Sequence, residues 1–180
     1  MSDNNEMTGT VLDLLQVDSR QIFICDDIER QTVAYALRRF TELGAESPDP
    51  IHIYLNSDGG CVDSAMALID MIEKSKCDVY TYVVGFAASA AAWIAIAGDR
   101  RHITKHSGLM FHATSWGAES SIREVEQSRL DYWAKQDNAT NIWAAKKFHT
   151  SPTKYKALIL NGLWLTAREA VKMKVMDKIM

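Results

Sequence analysis

A serine hydroxyl attacks a carbonyl only when a base takes its proton, and histidine, with a pKa near neutrality, is the usual base. In this 180-residue chain the serine best placed for that chemistry is Ser89. It follows Val83-Val84-Gly85-Phe86-Ala87-Ala88 and precedes the small-residue run Ala90-Ala91-Ala92-Trp93-Ile94-Ala95-Ile96-Ala97. The run reads as a buried helix, so Ser89 stands at a helix opening, where backbone N–H groups lack partners and the dipole end is positive. Of the five histidines, His112 ends the apolar segment Leu109-Met110-Phe111 beyond that helix and is the candidate general base. Attack also creates an oxyanion, which needs two preorganised N–H donors. Candidates are the amide of Gly60, in the turn Asn56-Ser57-Asp58-Gly59-Gly60, and that of Ala90, the residue after the serine. Glycines at 59 and 60 let the backbone approach a substrate closely. The competing reading is a serine that only caps its helix.

Other reactive groups point less clearly to a site. His102 and His106 have i, i+4 spacing, but the residues between and after them read as a strand and a turn rather than a ligand-bearing helix, which argues against zinc. The reading needs no metal and no cofactor. Cys25, Cys61 and Cys77 form no C-x-x-C pair and are expected to be reduced core thiols. A net charge of −3, with lysines and arginines dispersed among acids, gives no basic stripe and argues against nucleic acid as a partner. The opening residues are polar and acidic, and no apolar run reaches the length of a membrane span, so a cytoplasmic protein without a membrane partner is expected.

The elements that must position these groups alternate in type. Residues 1–20 form an N-terminal arm, polar to about residue 10 and mildly amphipathic over Val11 to Val17; residues 21–180 form one domain. Gln21 to Cys25 is a strand, and Asp26-Asp27 closes it and caps a helix from about Ile28 to Gly44. Ile51 to Leu55 is a strand, Val62 to Ser75 a helix, and Asp78 to Val84 a strand that breaks at Gly85 before the Ser89 helix. Gly98 to Arg101 is a turn, His102 to Thr104 a short strand and Leu109 to His112 another. Strand–helix pairs of about thirty residues predict right-handed βαβ crossovers, hence an α/β fold with a parallel sheet covered by helices. Such sheets gather their sites at the carboxyl ends of strands, where the glycine turn, Ser89 and His112 all fall. A long helix over about Ser120 to Phe148 carries a sparse apolar stripe with tryptophans, which predicts packing on another copy of the chain, the alternative being that it folds back on its own domain. A shorter helix follows from Ser151-Pro152-Thr153 to about Leu160, then an Asn161-Gly162 turn and an extended Leu163 to Leu165. Thr166-Ala167-Arg168-Glu169 is a capping box opening the last helix, to about Met173, and Val175 to Ile179 ends as a turn and short strand.

Four segments in one order, Tyr54-Leu55-Asn56-Ser57-Asp58-Gly59-Gly60-Cys61-Val62, Gly85-Phe86-Ala87-Ala88-Ser89-Ala90, Met110-Phe111-His112 and Trp164-Leu165-Thr166-Ala167-Arg168-Glu169-Ala170-Val171, resemble the ClpP family of serine peptidases. The likeness runs from about Gln21 to Ile179. It implies the family's fold of repeated βαβ units, which crotonases share, with the long helix as a handle between two stacked rings, usually heptameric. It implies Ser89 as nucleophile, His112 as general base, and the Gly60 and Ala90 amides as oxyanion hole. It also implies a homo-oligomer that hydrolyses peptides or unfolded proteins inside a chamber, and an AAA+ unfoldase partner, hinted at by Tyr54 near the family's docking clefts. Three departures stand out. The family's third triad member is an aspartate shortly before the Leu-Thr-Ala segment, where this chain has Gly162 on strict alignment, with Asn161 one residue away as the tentative substitute, so the far ring nitrogen of His112 is expected to meet Asn161, a backbone carbonyl or water. Asp58 replaces a common proline, and Ala91 a common glycine. The missing aspartate gives a second reading, a weak or inactive structural subunit. An acyl-CoA enzyme of the crotonase type is a third, but no carboxylates stand at suitable places for it.

Overall fold

The computed structural model describes residues 20–114 and 123–180. The arm expected over residues 1–20 lies outside them except for Arg20, as does the start of the long helix at Ser120. Arg20 is docked onto the domain, its guanidinium donating to the carbonyls of Leu43 at 2.9 Å, Asp49 at 2.7 Å and Pro50 at 3.1 Å.

The chain runs β1 (Gln21–Ile24), α1 (Arg30–Glu46), β2 (Ile51–Ser57), α2 (Val62–Lys74), β3 (Val79–Ala88), α3 (Ala90–Ala97), β4 (Arg100–Ile103) and β5 (Gly108–Phe111). It continues as α4 (Arg123–Lys147), α5 (Pro152–Ile159), β6 (Leu163–Thr166), α6 (Ala167–Lys172) and β7 (Lys178–Ile179). Strands β1, β2, β3, β4 and β7 lie side by side in parallel, while β5 pairs with the far end of β3. The α/β architecture is the one expected, but the sheet is not wholly parallel: β6 pairs with β5 antiparallel, because the excursion through α4 and α5 returns the chain from the opposite end.

Alternation along the strands sends Ile22, Ile24, Ile51, Ile53, Leu55, Val79 and Val83 into the core. Helix α1 meets that layer with Val33, Ala36, Phe40 and Leu43 at helical spacing, and every residue of α3 is buried, as a small-residue helix with no polar face must be. On the opposite sheet face, Phe23, Tyr54, Tyr82, His102 and Lys178 form one in-register row across five strands. Its rings stack at centroid distances of 5.0 Å (Phe23–Tyr54) and 4.6 Å (Tyr54–Tyr82), and Tyr82 meets His102 at 4.9 Å with the rings tilted.

Four local expectations are corrected. Helix α1 starts at Arg30, not Ile28, and its cap residue Glu29 makes no side-chain cap bond. Ile28 stays extended because it bridges to the glycine turn, its N–H donating to Gly59 O and its carbonyl accepting from Cys61 N–H, both at 2.7 Å. Strand β3 does not end at Gly85 but bends there and continues to Ala88. Arg100 and Arg101, expected in a turn, open β4 by pairing with Tyr80 and Thr81. Cys77 is buried, but Cys25, which follows the last inward residue of β1, and Cys61, in the turn before α2, are exposed. Among the described residues no helix is long and apolar enough to cross a membrane.

Candidate active site

The bend in β3 is where positioning begins. Up to Val83 the strand pairs with β4; from Phe86 it pairs with β5, Ala88 lying opposite Met110. Changing partners leaves backbone amides to satisfy. Ser107 Oγ accepts from Gly85 N–H at 2.7 Å, and Asn56 Oδ1 from Phe86 N–H at 3.1 Å. Ser89 N–H then donates to Met110 O at 2.8 Å, binding the serine to β5, which His112 directly follows.

Ser89 has φ 53° and ψ −123°, a left-handed conformation uncommon for a residue with a Cβ. The strand-to-helix turn is therefore sharp, and it aims the side chain away from the helix. Ser89 occupies the cap position of α3 but makes no side-chain cap bond; its Oγ lies 2.9 Å from His112 Nε2. The simple capping reading accounts for none of this. His112 Nδ1 lies 2.7 Å from the Ala113 carbonyl oxygen. A carbonyl only accepts, so Nδ1 carries the proton, Nε2 of the neutral ring is the acceptor, and Ser89 Oγ–H donates to it. Both side chains are half-buried.

The glycine turn abuts the serine. A Cβ on Gly59 would lie 2.6 Å from Ala88 O, 2.8 Å from Ser89 Cβ and 3.1 Å from Ala90 N, so no larger residue fits at that approach. In the bridge to Ile28 the bonds run through Gly59 O and Cys61 N–H, which turns the Gly60 N–H away from Ile28. The Ala90 N–H opens α3 and has no carbonyl one turn back within the helix. Ala91 is fully buried, its methyl accommodated in the core, and Asp58 is exposed. Beside the turn, a hydrogen bond with Ser64 pulls the Cys61 thiol below its ordinary range against the opposing effect of burial.

Asn161 is exposed in the turn after α5, and the recorded partner of His112 Nδ1 is main chain. Asn56 and Ser107, which hold the bend, were not singled out from sequence; a backbone carbonyl was among the expected partners of the far His112 nitrogen, but not which carbonyl. Asn56 had a signal, its place just ahead of the glycine turn; a main-chain carbonyl has none. A cleft of about 850 Å³ opens beside the site, lined by Cys25, Asp26, Asp27, Asn56, Ser57 and Asp58 among others, but neither Ser89 nor His112 lines it. The contact geometry, not this cleft, marks the reactive centre.

The profile of the family described as Clp protease matches residues 4–180. This chain belongs to the Clp protease family. It is 30% identical over 170 residues to the ATP-dependent Clp protease proteolytic subunit 1 of Protochlamydia amoebophila (strain UWE25), covering 91% of this chain and 81% of that protein. It is 28% identical over 177 residues to the subunit of the same name from Chlamydia muridarum (strain MoPn / Nigg), covering 94% of this chain and 91% of that one. Membership in the Clp protease family makes peptide-bond hydrolysis the chemistry against which the Ser89–His112 contact is read.

Proposed function

We propose that this protein is a serine endopeptidase in which Ser89 is the nucleophile, His112 the general base, and the Gly60 and Ala90 amides the oxyanion hole. The observation that carries the reading is the 2.9 Å contact between Ser89 Oγ and His112 Nε2, in a ring whose other nitrogen is the donor. In acylation the Oγ–carbon bond forms as the hydroxyl proton passes to Nε2, and the substrate oxygen takes the negative charge between the two amides. The imidazolium gives its proton to the departing amine as the peptide bond breaks. Water, deprotonated by the same nitrogen, then releases the acyl-enzyme. Peptides and unfolded proteins are the substrates, taken up inside stacked, most simply heptameric, rings of this chain in the cytoplasm, with an AAA+ unfoldase supplying large substrates.

The test is reaction with a fluorophosphonate and turnover of a fluorogenic peptide. Labelling and hydrolysis are expected in the assembled protein, with both lost in Ser89→Ala. Absence of labelling in assembled wild-type protein favours the second reading, an inactive structural subunit, to which the missing family aspartate and the main-chain partner of His112 Nδ1 among the described residues lend support.

A further inference from the structure

Burial alternates along β5 as far as the reactive histidine. Leu109 and Phe111 are fully buried while Met110 and His112 are half-buried, so the last two share the outer face of the sheet. In β6, Leu165 faces inward, and Trp164, paired with Met110, faces the same way as His112. In β3, Ala87 is buried, and Phe86, paired with Gly108, faces outward beside them.

Phe86 and Trp164 meet across the glycine between them. Their rings stack at a centroid distance of 5.7 Å with 17° between the planes. A Cβ on Gly108 would lie 3.5 Å from Cδ2 and 3.6 Å from Cε2 of Phe86, so that ring passes over Gly108 at van der Waals contact. The indole lies back along β6, its Nε1 3.3 Å from the point a Cβ on Gly162 would occupy. That direction leads to the end of the β5–β6 ladder that His112 follows. Although Phe86 stacks on one side of it, Trp164 is still 65% exposed. Met110 and His112 stand about 7 Å apart in an extended segment, which puts the exposed indole within about two substrate residues of the bond that Ser89 attacks.

A single exposed apolar residue is ordinary, but two stacked rings presented flat beside a nucleophile make a surface suited to a ligand. Another ring covers such a surface best, because offset stacking adds to the area it buries, whereas an aliphatic side chain gains the area alone. For a lysine or arginine the acid nearest in sequence, Glu169, is already held by the N–H and hydroxyl of Thr166.

We infer that Trp164, backed by Phe86, is a specificity-determining residue whose free indole face receives an aromatic side chain of the substrate, within about two positions of the scissile bond. This rests on the Ser89–His112 reading and deepens it by naming the class of peptide.

The experiment measures kcat/KM of the assembled protein on fluorogenic peptides that carry phenylalanine, leucine or lysine, one position at a time, near the scissile bond on either side. At one position the phenylalanine peptide is expected to exceed the leucine peptide about two- to tenfold in wild type, the range an aromatic pair contributes beyond burial. Trp164→Leu is expected to abolish that preference and Trp164→Phe to keep most of it. Because the preference is a ratio within one protein, partial misfolding of a variant does not move it. Leucine or lysine preferred at every position, or a preference unchanged in Trp164→Leu, overturns the inference. A second measurement needs no turnover. In Ser89→Ala the indole N–H resonance of Trp164, assigned by its loss in Trp164→Phe, is expected to shift with the phenylalanine peptide and to stay in place with the leucine peptide. The same shift with both, or a shift with neither, overturns it. Hydrolysis that survives Ser89→Ala, or a wild type that cleaves none of the peptides, is instead a failure of the underlying reading, which the resonance measurement keeps separate.

Discussion

At the scale of single residues, the site spends stability on geometry. A side chain held at φ 53° costs about 1–3 kcal/mol relative to a relaxed backbone. Replacing Ser89 by glycine removes both the strain and the nucleophile. Ser89→Gly is therefore expected to unfold at higher denaturant than Ser89→Ala, by about 1 kcal/mol in urea titrations, with both variants inactive. Equal stabilities would mean that the left-handed turn is unstrained. Ser89 and His112 were legible in the sequence because each stands at a boundary between residue patterns, the serine where a strand run gives way to small residues and the histidine where an apolar run stops. The Ala113 carbonyl was not legible, because a backbone oxygen is present at every position and only folded geometry selects one.

At the scale of elements, β3 does two jobs, and the bend at Gly85 divides them. Asn56→Ala removes the side-chain acceptor of the Phe86 amide at a place where the ladder does not supply another, at a cost of about 0.5–1.5 kcal/mol, since the bond is exposed and water can take the amide. Because that amide fixes the direction of Ala87 and Ala88, kcat is expected to fall more than tenfold with KM little changed; stopped-flow acylation rates check this. The alternation of strand and helix was legible from periodicity, as was the Thr166–Glu169 capping box, present with both of its reciprocal bonds. The strand ends were not, because what extends β3 past a glycine and holds Ile28 out of α1 is pairing with segments remote in sequence. The aromatic row supplies a pH effect. His102 is pulled below its ordinary value by burial first, then by Lys178, Arg100 and His52, with Asp177 opposing, and its buried Nδ1 has no hydrogen-bond partner among the described residues. As pH falls below about 6.5 the unfolded chain takes up this proton before the folded one, so folding stability drops from there down to the lowered folded pKa. Thermal melts at pH 7.5 and 5.5 should show that loss in wild type and a smaller one in His102→Phe.

At the scale of the whole molecule, α4 is anchored at one end and open at the other. Ala144, Ala145 and Phe148 are buried, and Glu73 takes both Trp143 Nε1–H at 2.8 Å and Lys147 Nζ at 2.9 Å. Farther toward the start of the helix, Leu130 and Tyr132 are 42% and 52% exposed, a poor arrangement for an isolated chain and a good one for a helix meeting its own copy. The double variant Leu130→Glu/Tyr132→Glu is expected to sediment as smaller species than wild type while keeping its helical circular dichroism. An unchanged sedimentation coefficient would place the assembly contacts elsewhere. The order in which the chain is made also bears on when the site exists. By the time residue 112 has left the ribosome both reactive side chains have been synthesised, yet β6, the antiparallel partner of β5, spans residues 163–166. A nascent chain shorter than that carries the serine and the histidine, and the β3 and β5 segments that bring them together, but not the strand that closes the far edge of β5. On the Ser89–His112 reading proposed above, the sheet around the two side chains is therefore complete only after residues 163–166 have been made.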